Sequence, residues 1–145
     1  MGLSKSYPDH EEGTIRSFVQ VDKQERFLGF LANPKNRKKL TRSLAHFRWF
    51  DKRFATPIPW KVDPKLKLWE RRLQGIENIC RLMKSKGAGL TCWVISEELA
   101  IDGRELDLRE ALEHVQGGGM GTILSCVPGA LAYYEGEDEV LLLAR

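Results

Sequence analysis

Residues 122–144 read Thr-Ile-Leu-Ser-Cys-Val-Pro-Gly-Ala-Leu-Ala-Tyr-Tyr-Glu-Gly-Glu-Asp-Glu-Val-Leu-Leu-Leu-Ala. The runs 122–127, 130–134 and 140–144 are rich in β-branched, aromatic and aliphatic side chains. Turn chemistry separates them, first Pro128-Gly129 and then Glu135-Gly136-Glu137-Asp138. Connections so short leave no room for a crossover, so the three runs predict antiparallel neighbours. Upstream, Asp107 stands three residues before Glu110 and ahead of Leu108, Ala111, Leu112 and Val115, a capping-box pattern that starts a short helix ending at Gly117. Asp102-Gly103 reads as a tight turn. Residues 90–96 are apolar on both faces, as in a central strand covered by a helix.

Further towards the N-terminus the apolar period changes from two to that of a helix. Asp63-Pro64 combines a cap with a proline at the first turn and opens the longest helix, to about residue 86. Along it Leu66, Trp69, Leu73, Ile76, Cys80 and Met83 alternate steps of three and four, one continuous stripe of the kind a domain core takes up. Asn33-Pro34 starts a second helix, to about residue 47, and Asp22 with Glu25 starts a short first one ending near residue 33. Prolines 57 and 59 hold residues 56–60 extended. Residues 1–14 show no periodicity and predict a mobile arm. The expectation is one α+β domain over 15–145. It has N-terminal helices, then a small, mainly antiparallel sheet of four or five strands with a short helix inserted.

Composition narrows the setting. A chain of 145 residues, 42% apolar and 30% charged, is sized for one core and is not depleted of apolar residues as disordered chains are. No stretch approaches the eighteen or so consecutive apolar residues of a membrane span, and the first residues carry no apolar signal core. Three cysteines, Cys80, Cys92 and Cys126, are odd in number and widely spaced, which fits reduced, packed thiols in a cytosolic protein.

Charge is divided unevenly. Residues 16–86 hold nineteen Lys and Arg against six acids, and residues 87–145 hold three against eleven, so a total of +3 conceals two opposed fields. The basic cluster Lys35, Arg37, Lys38, Lys39, Arg42, Arg48, Lys52 and Arg53, with Trp49 and Phe50 among it, has the make-up of a surface for a polyanion or an acidic protein. Cancellation of the basic helical half (15–86) against the acidic strand-rich half (87–145) would leave no such surface.

Catalytic patterns are sparse. Gly117-Gly118-Gly119-Met120-Gly121 follows a helix and feeds a strand, the reverse of a phosphate loop, and stands only as a candidate ligand loop through Gly117, Gly118, Gly119 and Gly121. Ser125, Cys92 and Cys126 are the nucleophiles within reach of a strand end, with His114 and His46 as bases, yet none lies in a nucleophile elbow. His10, His46, His114 and the cysteines lack zinc spacing, so no metal or cofactor is expected. Glu97-Glu98 near Asp102 point to opposite faces if extended.

The sequence therefore leads to a non-enzymatic binding or regulatory module acting on a protein partner or on itself. Two alternatives remain: a nucleic-acid-binding protein using the basic surface 35–53, and an enzyme using the glycine loop and nearby strand ends.

Overall fold

The computed structural model describes residues 7–46, 49–58, 63–116, 121–137 and 139–145. The elements in order are α1 (Tyr7–Phe18), α2 (Gln24–Leu31), α3 (Arg37–His46), β1 (Ala55–Pro57), α4 (Leu68–Ser85), β2 (Thr91–Ser96), β3 (Glu105–Asp107), α5 (Leu108–Val115), β4 (Thr122–Val127), β5 (Leu131–Glu135) and β6 (Val140–Ala144). The class is α+β, as the sequence predicts. The sheet has six strands rather than four or five, in the order β1-β6-β5-β4-β2-β3, and every pairing is antiparallel. The added strand is β1, from the proline-held segment. It lies at an edge, where Pro57 has no ladder hydrogen bond to lose on its outer side.

Strand alternation sends the sheet's side chains into two cores. Cys92, Val94, Leu124, Leu131 and Tyr133 meet Ile76, Ile79 and Met83 of α4 and Leu108, Leu112 and Val115 of α5. On the other face Ile95, Ile123, Ala132, Tyr134, Leu141 and Leu143 meet Ile15 and Phe18 of α1, Phe27 of α2 and Leu40 of α3. Helices cover both faces, so Tyr133 and Tyr134 are both buried, where a sheet with one wet face would have exposed one of them.

Local signals place several element ends. Asp107 caps α5 by accepting from the Glu110 N–H at 3.1 Å, and Gly129, at φ 69°, makes the β4–β5 turn. Asn33 Oδ1 accepts from the Lys35 N–H at 3.0 Å, but this caps a single tight turn (Pro34–Asn36) that leads into α3. Asp63 likewise accepts from the Lys65 N–H at 2.9 Å in a turn, so α4 starts at Leu68, later than the Asp-Pro signal implies. Where the composition reads as an arm over 1–14, the chain is helical from Tyr7, with Glu11 and Thr14 buried.

Gly136, just past β5, is a point of close approach. A Cβ there would overlap the Tyr134 hydroxyl, and that ring is fully buried against Phe50, 4.8 Å between centroids. Gly136→Ala is expected to destabilise by about 1–3 kcal/mol through overpacking, read as a lower denaturant midpoint. An unchanged midpoint would show that the ring has room to shift.

Candidate interaction surface

The basic cluster is broken up by the fold. Arg37, at its centre, points inward and is clamped by two carboxylates. It donates to Glu11 at 2.7 and 2.9 Å and to Asp102 at 2.9 and 3.0 Å. Glu11 also accepts from the Trp93 indole N–H at 2.8 Å, and Asp102 from the Ser96 backbone N–H at 3.0 Å. Hydrogen bonds to Asp102 and then Glu11 hold the Arg37 pKa above its ordinary value. This ion cluster ties α1, α3 and the β2–β3 connection together, and four of the five guanidinium N–H donors are spent on Glu11 and Asp102.

The other cationic candidates are scattered. Lys35, Lys38 and Lys39 are exposed, and Arg42 is exposed with Nε 3.9 Å from Glu97. Arg53 forks onto Asp51 at 2.7 Å, which holds the Asp51 carboxyl below its usual range, and Lys52 is exposed beside it. Trp49 is half-buried, edge-on to Phe27 at 5.4 Å, with Lys23 and Arg26 against its ring, and Phe50 is buried. Stacking on an unpaired base needs an open ring face, which Trp49 and Phe50 do not offer. Arg48, Gly117, Gly118, Gly119 and the side chain of His46 lie outside the described residues.

The parts of an enzyme site are likewise not united. Gly121, buried, donates its N–H to Glu97 at 2.8 Å at the start of β4. Cys126 stands five residues further along that strand, about 17 Å away at strand rise. The base beside a nucleophile is not His114, which is exposed on α5, but His10, whose Nδ1 lies 2.7 Å from Ser125 Oγ. Ser125 is fully buried beneath α1, so this bond ties the helix to the sheet and gives no substrate access. Burial pushes the Cys92 thiol up and the Cys126 thiol up to about 12, leaving little thiolate for chemistry at neutral pH. Among the described residues no group of three or more His, Cys, Asp or Glu is arranged to hold a metal ion, and no helix is long and apolar enough to cross a membrane.

What the structure adds is a surface on α4. The apolar stripe is continuous in sequence, yet only its C-terminal half is covered. Ile76, Ile79, Cys80 and Met83 are buried, while Leu68, Trp69 and Leu73 remain 82%, 61% and 43% exposed. Large apolar side chains of the first two turns are thus left uncovered. Arg71 donates to the carbonyls of Leu66 and Pro64 in the turn before the helix at 2.9 and 2.8 Å, and Arg72 donates to that of Glu113, which ties this end of α4 to α5. The Lys67 backbone N–H donates to the Glu70 carboxylate at 3.4 Å, the reach-back half of a capping box. Lys65 and Lys67 are exposed at the edge of the apolar group. The sequence shows the stripe and its tryptophan but not how many turns the sheet would cover, so Trp69 and Leu73 read there as core, while Leu68 falls outside the stripe.

Comparisons with protein-family models, with curated proteins and with solved structures each give no match to this chain.

Proposed function

We propose that the chain is a non-enzymatic binding module that docks onto a protein partner through the exposed N-terminal face of α4. The observation that carries this reading is Trp69 and Leu73, large apolar side chains exposed one turn apart on the same face of α4, with exposed Leu68 next to Trp69, on a helix tied to α5 through Arg72. Large apolar side chains left exposed are characteristic of interaction sites, and tryptophan is among the residues that most often dominate them. Lys65 and Lys67 nearby favour a partner whose own apolar site has an acidic rim. The three cysteines are unpaired thiols, which supports a cytosolic setting for this encounter.

Trp69→Ala tests the reading. Co-purification from a native lysate should recover with the wild-type chain a protein that the variant loses, and titration of that protein should show at least about 30-fold weaker binding for the variant, the scale of a hot-spot residue. The variant's own midpoint should barely change, since Trp69 is mostly exposed. Identical recovery by both chains would contradict the proposal.

A second reading, nucleic-acid binding, is supported by Lys35, Lys38, Lys39 and Arg42, all exposed along one short stretch. A mobility-shift titration at about 50 and 200 mM salt tests it, because a phosphate-driven complex weakens steeply over that range. No shift at the lower salt disposes of it.

A further inference from the structure

Resting on the reading of α4 as a docking face, we propose that its partner is a second copy of this chain, joined head to tail through a groove between α1 and α2. That groove is a cavity of about 380 Å³. Its apolar wall is Leu28, Leu31 and Ala32, and its rim holds three acids, Glu11, Glu12 and Glu25, against one cation, Arg16, which pairs with Glu12 at 3.0 Å. The Glu25 carboxylate is 87% exposed and 3.9 Å from Arg16, a long contact that leaves room for a second cation. A pocket of this size is in the range that takes up a large side chain.

The two surfaces are complementary in kind. One is an apolar projection, Trp69 and Leu73 with Leu68 next to Trp69, near exposed Lys65 and Lys67. The other is an apolar recess whose rim carries Glu11, Glu12 and Glu25 against Arg16, a net acidic lining. They lie on opposite sides of the sheet, because α4 covers the face bearing Val94 and Tyr133, while α1 and α2 cover the face bearing Ile95 and Tyr134. A chain therefore cannot fill its own groove. Two copies also cannot exchange the same contact symmetrically at one patch, as a two-fold dimer would. Joining different patches is a heterologous contact, which propagates into a ring or an open chain of subunits. Charge at the rim makes the association weaken as salt is raised.

Sedimentation velocity on the full chain, from low micromolar to near-millimolar concentration, is the test, with two surface variants. Trp69→Asp removes the projection, and Ala32→Arg, at an exposed position, fills the recess and repels the lysines. Wild type should gain mass continuously beyond a dimer, and each variant alone should stay monomeric. An equal mixture of the two should form one discrete dimer, since it holds one intact projection and one intact groove. A wild-type chain that stays monomeric, an association that stops at two, or a mixture with no dimer overturns the proposal. If wild type is monomeric but Trp69→Asp still loses a co-purified protein, only the identity of the partner is wrong. If Trp69→Asp alters neither measurement, the docking role of α4 fails as well.

Discussion

Arg37→Met is expected to lower the unfolding free energy by about 3–5 kcal/mol, the cost of removing one partner from a buried ion cluster. The methionine keeps most of the side-chain volume but leaves the carboxylates of buried Glu11 and half-buried Asp102 facing each other without a cation. Trp93 and Ser96 still donate to them, and neither carries a full charge. Arg37→Lys should fall between, because a single ammonium cannot replace two forked contacts. Neutralising all three positions, with Glu11→Gln and Asp102→Asn beside Arg37→Met, should recover a large part of the loss, since the unpaired charge is what costs most. Urea unfolding followed by fluorescence measures each of these. A loss below about 1 kcal/mol for Arg37→Met would mean that the cluster is worth no more than a surface pair.

Alkali should destabilise the protein through its thiols. Burial raises the pKa of Cys92 and Cys126, the latter to about 12, so both stay protonated in the fold while an unfolded thiol ionises near 8.5. Above that pH the unfolded state holds fewer protons than the native one, and stability therefore falls as pH rises. The contribution is complete below about pH 8 and declines from there. By pH 10 the loss is about 2 kcal/mol for Cys92 and somewhat less for half-exposed Cys126, together about 3 kcal/mol. Tyr133 and Tyr134, raised chiefly by burial, extend the decline at higher pH. The unfolding midpoint of wild type should drop steeply between pH 8 and 10, and that of a Cys92→Ala, Cys126→Ala variant much less. Parallel curves for the two proteins would show that the thiols carry no such linkage.

The C-terminal elements were legible because each is specified locally. β4 and β6 fall on the β-prone runs over 122–127 and 140–144, and α5 starts at its Asp107 cap. Helix α1 was not, since the side chains on its inner face include His10, Glu11 and Thr14, which break the apolar period. Its polar contacts are satisfied by Ser125, Arg37 and Trp93, which are 115, 26 and 82 residues away. Counting charges along the chain fails at Arg37 for the same reason, because its acids lie far off in sequence. The α4 surface was half legible. Periodicity gives the row Leu66, Trp69, Leu73, Ile76, Cys80 and Met83, but where burial ends along it depends on the extent of the sheet and α5 beneath.

That boundary is best measured by hydroxyl-radical footprinting of the native chain, dilute and then concentrated or partner-bound. Leu68, Trp69 and Leu73 should oxidise fast in the dilute chain and Ile76 and Met83 slowly, and the first three should be protected on association. Slow oxidation of Trp69 in the dilute monomer, or rates that do not change on association, would contradict it.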